Sequence, residues 1–600
     1  MAGIQDPQVV YQELEQEWTG VLQRLNRRKN RIGWGRLVSA VAAIALPIWL
    51  WPVGWWIALL AAAACLAVFL RLLVLDVQTT AALDNATRLL QINRSEISIL
   101  QHRFTQFPDG SRLMPAGHPY AADLDIFGRS SLYQLLNRTS SEQGNETLAR
   151  WLLAPSPVSE LVLRQQAVQE LSLLTRWRQQ WQAYGQTEGI TRSTEQKLLQ
   201  WIQAPIHFTG KPAWRILRVA VPLILFSLLA LNITAILPAA IFWGVTFLFF
   251  ILTGAFSRKI TPLYDQLNKV APETGTLYLS MKWIESQAFE SPLLQQLQQA
   301  CQHNHGQASA AIRELKAILD RFDLRLNPLV FFFLNTFLFW DLHQVLLLEQ
   351  WKTRHRPQVQ QWFHTLAEME ALCSLATLRF NNPTWCFPVF SSKPGTLITT
   401  ALGHPLIEHR KRVCNDFSTG GTGQLSLITG SNMAGKSTFL RSAGINIVLA
   451  MMGAPVCASS FELYPVQACS SMRISDNLEE STSTFYAELK KLKYIIDAVN
   501  RGETIFILLD EILRGTNSAD RHAGSKALIR QLLLHKATGM IATHDLELAK
   551  MADAFPGQLH NYHFDVQVAG DELYFDYKLK AGVCHSMNAS LLMKKIGIEM

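Results

Sequence analysis

Charge is what this chain has least of: Asp, Glu, Lys and Arg make up 17% of its 600 residues, against about a quarter in an average soluble domain. The shortfall is concentrated. No charged residue occurs from Leu37 to Leu70, and none from Val219 to Ser257; each run is long enough for two helices crossing a hydrocarbon layer roughly 30 Å thick. Cysteine is also sparse. The eight residues, at 65, 301, 373, 386, 414, 457, 469 and 584, contain no C-x-x-C pair, which argues against a zinc ribbon or a thioredoxin-like redox motif and leaves reduced core thiols. An amphipathic segment precedes the first apolar run, so a cleaved signal peptide is not expected.

The two charge-free runs are expected to be helical hairpins through a bilayer; unusually apolar core helices are the alternative. Trp51-Pro52-Val53-Gly54-Trp55-Trp56 forms the turn of the first, with tryptophans where an interfacial belt would sit, and Asn232 to Pro238 that of the second. Arg24, Arg27, Arg28, Lys29, Arg31 and Arg36 precede the first hairpin and Arg71 follows it; Lys211, Arg215 and Arg218 precede the second, with Arg258 and Lys259 after it. By the positive-inside rule every large segment then faces the cytoplasm, as in a multi-pass protein of a bacterial-type inner (plasma) membrane. A third apolar run, Pro328 to Trp340, is short, contains Asn335 and continues into Asp341 and His343 at helical spacing. It is expected to be a buried helix. The net charge of +8 lies largely beside the apolar runs, and suits an anionic membrane surface at least as well as nucleic acid.

A chain this long implies two to four folding units. The expected order is an amphipathic helix over 1–33, with Val10, Leu14, Trp18, Val21 and Leu25 on one face, then the first hairpin over 34–75. A helical core follows over 76–213, the second hairpin over 214–257, and further helical structure over 258–385. From 386 to 600 short β-rich runs alternate with helices, the texture of a parallel-sheet nucleotide-binding domain.

That last region carries the chemistry. Gly430-Ser431-Asn432-Met433-Ala434-Gly435-Lys436-Ser437-Thr438 is a complete phosphate-binding loop and follows the apolar strand Leu425-Ser426-Leu427-Ile428. Its glycines let consecutive N–H groups face phosphate oxygens, Lys436 reaches the β/γ oxygens, and Ser437 offers a hydroxyl to Mg²⁺. Ligands of this loop are nucleoside triphosphates, ATP with Mg²⁺ being the expected pair. Thr504 to Glu511 is an apolar strand ending in two acids; Asp510 is the expected metal residue and Glu511 the base that polarises the attacking water. Ile541-Ala542-Thr543-His544 ends another strand, and His544 is placed to sense or orient the γ-phosphate. Between them lies the polar loop from Arg514 to Asp520, which suits contact across a dimer.

Together, the Asn-Met form of the phosphate loop, Asp-Glu followed by Arg-Gly-Thr, Ser483-Thr484-Phe485 with Glu488, and Ala542-Thr543-His544 resemble the MutS family of mismatch-repair ATPases. Gly403-His404-Pro405, Asn415-Asp416 and 123–171 extend the resemblance to roughly 120–205 and 262–600. It implies an α/β ABC-type P-loop ATPase domain plus an all-α core and lever domain, here combined with two transmembrane hairpins. It also implies a homodimer in which a serine-containing loop, here Ser481 to Thr484 with Ser481, Ser483 and Thr484 as contacts, completes the partner's nucleotide site. Asn415 matches the position that contacts the adenine side, and Ala434 stands where a glycine is more usual.

The departures shift the expected function. Nothing ahead of the core is long enough for a mismatch-reading domain, and no Phe-x-Glu element occurs there. The second hairpin falls where the family's levers would carry a DNA-gripping clamp. The expectation is a membrane-anchored, dimeric ATPase whose cycle moves lever and membrane helices. A membrane-tethered DNA-binding protein of mismatch repair or recombination is the alternative. A transporter is disfavoured, because Asn232, Thr234 and Thr246 are among the few polar groups in the spans.

Overall fold

Two helices of unusual length open the structure, a computed structural model that describes residues 6–268, 270–303, 306–431, 434–473, 484–569 and 572–584. The chain divides into two compact units, one formed by 1–103 with 175–189 and the other by 104–174 with 190–600.

In the first unit α1 (Pro7–Leu50) and α2 (Trp55–Leu100) form an antiparallel hairpin. Asp6 caps α1 by accepting the Gln8 N–H, and Pro7 supplies a fixed φ in the first turn. At 44 residues, α1 rises about 66 Å and runs without interruption past residue 33, just as α2 runs past residue 75. The amphipathic and charge-free stretches are therefore parts of the same rods. Toward the turn the surface is apolar and bare, with Ile48, Trp49 and Leu59 exposed. Arg36 closes this section by pairing with Asp76 at 2.5 Å. Further down, α6 (Thr175–Gly185) packs on α2. Trp18, Leu89, Ile92 and Ala183 form the small core, and Asn85–Gln180 and Asn93–Gln179 bond reciprocally through their amides.

The second unit begins with a helical layer: α3 (Leu132–Leu136), α4 (Glu142–Leu153), α5 (Val158–Leu173) and α7 (Arg192–Gln203). The second charge-free run forms α8 (Pro212–Ile233) and the start of α9 (Ala239–Asn268). Among the described residues, these two with α1 and α2 make four single helices long and apolar enough to cross a membrane. Then come α10 (Ala271–Ser286), α11 (Pro292–Gln299), a hairpin of β1 (Gln302–His303) with β2 (Gly306–Gln307), and α12 (Ala308–Phe322). The layer closes with α13 (Pro328–Leu338), α14 (Trp340–His355) and α15 (Val359–Asn381). Buried on nearly every side, α15 packs against α4, α5, α10 and α11.

The run from Pro328 differs from expectation. Only Asn335 and Thr336 of α13 are buried, while Leu329 and Phe333 are 75% and 59% exposed. The helix is apolar at every position but Asn335 and Thr336, and it lies against α8, α9 and α14 while Leu329, Val330, Phe332 and Phe333 keep exposed apolar surface. It stops at Phe339, whose φ of 48° is left-handed, and α14 leaves at 77°.

Polar contacts fasten α14 to α9 and to the segment that leads into α8. The Ser257 hydroxyl on α9 donates to Asp341 at 2.5 Å, and Asn335 donates to Ser257 while accepting the Asp341 N–H. Eight residues on from Asp341, Glu349 accepts the N–H groups of His207, Phe208 and Thr209, which lead into α8, and the Thr209 hydroxyl. Lys352 donates to the Ala204 carbonyl at 2.6 Å.

The α/β part holds two sheets. A four-stranded sheet has the order β3-β7-β4-β5, from β3 (Val389–Phe390), β4 (Thr396–Leu402), β5 (Asn415–Gly420) and β7 (Ser460–Leu463). The larger sheet comprises β6 (Leu425–Thr429), β8 (Gln467–Ser471), β9 (Ile505–Asp510), β10 (Thr538–Ala542), β11 (Leu559–Ala569) and β12 (Glu572–Ala581). Its order is β12-β11-β6-β10-β9-β8, parallel except at β11–β12. Around it lie α16 (Lys436–Met451), α17 (Thr484–Asn500), α18 (Ser518–Leu534), α19 (Leu546–Ala549) and α20 (Met551–Ala554). Strands β6, β9 and β10 are buried along their whole length, as continuous apolar runs in a covered parallel sheet require. The free edge at β8 is covered by the segment before α3: Pro119 accepts the Ser470 N–H, and Asp123 accepts the Ser470 hydroxyl and the Met472 and Arg473 N–H groups.

Candidate functional site

Ala542 pairs with Ile428 on one side and Asp510 on the other, so three parallel strands end level at one edge of the sheet. The loop after β6, the Asp510–Glu511 pair after β9 and the Thr543–His544 turn after β10 therefore converge there. The Thr543 N–H donates to the Ile428 carbonyl and the Glu511 N–H to the Ala542 carbonyl, tying the ends together.

Gly430 and Gly435 take φ values of 138° and 105°, and a Cβ on Gly435 would stand 3.0 Å from the Tyr577 ring. Only glycine fits there without strain. Gly435 caps α16, so the helix points its positive end at the loop. Ala434 is fully buried, and Lys436 is 2% exposed. The Lys436 ammonium donates to the carbonyls of Gly430 and Ser431 at 2.6 and 2.8 Å, and burial lowers its proton affinity against the pull of Glu511 and Asp510. Asn432 and Met433 lie outside the described residues.

The Asp510 carboxyl is pushed upward chiefly by burial, with the neighbouring Ser437 hydroxyl acting in the opposite sense. The Asp510 Oδ1 atom is buried without a partner. A buried carboxylate oxygen beside a serine hydroxyl at a helix start is a hard-oxygen donor set that fits Mg²⁺. Glu511 sits at φ 51°, with Arg514 Nε 3.1 Å from one oxygen and His544 Nδ1 3.6 Å from the other. The neighbouring His522 pairs with Asp545 at 2.6 Å, which orients the turn carrying His544.

Beside the loop opens a cavity of about 370 Å³, lined by Ser437, Thr438, Phe439, Lys411, Asn415, Tyr577 and apolar neighbours. Asn415 thus lies beside the loop, but both ends of its amide are engaged: it donates to the Tyr577 carbonyl and accepts the Leu579 N–H. It joins β5 to β12. Ser481 and Ser483 lie outside the described residues, and Thr484 opens α17.

Sequence reasoning missed the contacts that fasten this edge to the helical layer. Asp123, 1% exposed, receives Lys491 at 2.9 Å in addition to the end of β8. Asp125 pairs with Arg473 and Arg441. No local pattern announces partners some 350 residues away.

With this geometry in place, a comparison with known families finds that residues 426–595 match the model of MutS domain V.

Proposed function

From membership of the MutS family, which that match supports, we propose that this chain is a membrane-anchored ATPase. MutS domain V is that family's ATPase domain, and the family uses ATP with Mg²⁺ and is generally dimeric. In this reading the chain has a P-loop ATPase fold of the ABC type. The N–H groups from Gly430 to Thr438 and the start of α16 bind the phosphates, and Lys436 leaves its carbonyl partners for the β/γ oxygens. Ser437 and Asp510 would hold Mg²⁺, which when bound would neutralise charge on the phosphates. Glu511 takes the proton of the attacking water, and His544 orients the γ-phosphate. The cavity beside the loop receives the nucleoside. Ser481, Ser483 and Thr484 of one protomer complete the site of the other in a homodimer.

The motion is proposed to reach lipid-embedded helices. The observation that carries this is the fastening of α14 to both sides of the second apolar hairpin, through Asp341 to α9 and through Glu349 to the segment before α8. A shift of α14 must then move the hairpin or break charge-assisted bonds. The four apolar helices are taken as spans of an inner membrane, with core and ATPase regions in the cytoplasm. The test is cysteine labelling along α8 and α9 of the full chain in lipid nanodiscs. Labelling rates should change with ATP and not with ADP, and rates indifferent to nucleotide would overturn the coupling.

The family match keeps a second reading, a membrane tether for DNA in repair or recombination. Duplex DNA titrated against the detergent-solubilised dimer at several salt concentrations decides it, because backbone binding must weaken steeply with salt. Absence of such binding removes the tether.

A further inference from the structure

Arg514 touches both acids of the site. Its Nε lies 3.1 Å from Glu511 Oε2 and its Nη2 lies 3.6 Å from Asp510 Oδ2. Asp510 is nearly buried, and two adjacent carboxylates at a sheet edge repel each other unless a cation stands between them. Here the guanidinium stands with the Lys436 ammonium as a cation that both acids attract.

The position of Arg514 is set from α17. Glu488, 5% exposed, accepts the Leu513 N–H at 2.5 Å. Leu513 is held left-handed at φ 61°, a conformation that a leucine keeps only when its surroundings impose it. The residue after Arg514 must be glycine, because a Cβ on Gly515 would come within 2.6 Å of Phe485 Cβ. The backbone on both sides of Arg514 is thus gripped by the first two turns of α17, the helix that Thr484 opens.

Mg²⁺ on Ser437 and Asp510 would face this guanidinium across one carboxylate. Two cations within a few ångströms of each other repel strongly where water is scarce. With Arg514 and His544 beside its two oxygens, Glu511 is also poorly placed to take a proton from water. We infer that Arg514 is a positioning residue, serving as the counter-ion of Asp510 and Glu511 until Mg²⁺ and nucleotide displace it, with Glu488 fixing the place from which it withdraws. The inference rests on the nucleotide-site reading above. It gives Glu488, Arg514 and Gly515 a common purpose: α17, which follows the loop expected to meet the partner's nucleotide, controls the counter-ion of its own acids.

Two measurements on the full chain in detergent test it. In the first, Mg²⁺ is titrated at fixed concentration of a fluorescent, non-hydrolysable ATP analogue. Arg514→Ala should reach half-saturation at about threefold to fivefold lower Mg²⁺ than the wild type, the scale of one partly exposed ion pair. Arg514→Lys, which keeps the charge without the planar fork, should fall between, and Glu488→Gln should shift the same way by less. In the second, thermal unfolding is followed in EDTA without nucleotide and then with Mg²⁺ alone. Arg514→Ala should melt lower than the wild type in EDTA and recover with Mg²⁺. An unchanged or raised Mg²⁺ requirement in both Arg514 variants overturns the inference, as does a stability loss that Mg²⁺ leaves unrestored. If the wild type binds the analogue with no Mg²⁺ dependence, the nucleotide-site reading fails first; if it binds normally and the variant curves superimpose on it, only the counter-ion role fails.

Discussion

Thr209 is joined twice to Glu349, its N–H donating at 2.6 Å and its hydroxyl at 2.9 Å to the same carboxylate oxygen. The other oxygen takes the His207 N–H at 2.8 Å. Glu349→Ala would leave these donors without their acceptor, at a cost of about 2–4 kcal/mol. If α14 drives the hairpin, the substitution should also abolish the ATP-dependent change in labelling of α8 while nucleotide binding persists. A labelling change that survives Glu349→Ala would place the coupling elsewhere.

Lys436 is the cation deepest in the candidate site. Lys436→Ala should weaken ATP binding by about tenfold to a hundredfold, the worth of a charge-assisted bond. Glu511→Gln keeps the shape and removes the base; binding should survive and turnover fall by about 10²–10⁴. Light scattering with ATP should then find the dimer accumulating. Undiminished turnover in Glu511→Gln would take the base role away from it.

Glu370 predicts a pH dependence of stability. It is buried in α15, where it accepts the N–H and hydroxyl of Ser141, and burial pushes its carboxyl up from 4.5 to about 7. The folded state therefore holds a proton that the unfolded chain releases. The resulting stability, of order 3 kcal/mol, is complete below about pH 4.5 and is lost as pH rises through about 7. Glu370→Gln keeps an acceptor for Ser141 and removes the titration, so melting curves between pH 5 and 8 should flatten. An unaltered pH profile would show that Glu370 is not the titrating group.

The two apolar turns offer a check on topology. Single cysteines placed in 51–56 and 232–238, in a background without native cysteine, should react with an impermeant thiol reagent from outside the cytoplasm. Reaction of both only from the cytosolic side would remove the hairpins from the bilayer.

Legibility in the sequence followed the range of the forces involved. Strands β6, β9 and β10 could be read directly because a sheet covered on both faces needs uninterrupted apolar residues, and the groups at their ends came with them. Hairpin helices were legible from missing charge. Their continuity was not, because Gly33 and Gly35, poor helix formers, stand where the surface of α1 changes from polar to apolar, and the helix runs through them unbroken. For Pro328 to Leu338, composition gave apolarity but not cover: Asn335 suggested an interior, and it is indeed buried, bonded to Ser257, yet Leu329 and Phe333 of the same helix are exposed. Asn415 lay in view as a polar residue near the site, while its bonds to Tyr577 and Leu579 depend on β12, more than 160 residues later. Asp123 is the extreme case, since nothing near it in sequence hints at Lys491 or Ser470.

The cover that Pro119 and Asp123 lay over β8 has a consequence for how the protein can be divided. An uncovered edge strand offers its N–H and C=O groups to any passing chain. A fragment beginning near residue 386 would keep the six strands but lose what shields Ser470 to Arg473, and it should therefore self-associate or precipitate where the whole chain does not. The change of texture in the sequence at that point marks a boundary of composition. The physical unit that can stay in solution on its own reaches back across it, to the loop that closes the sheet.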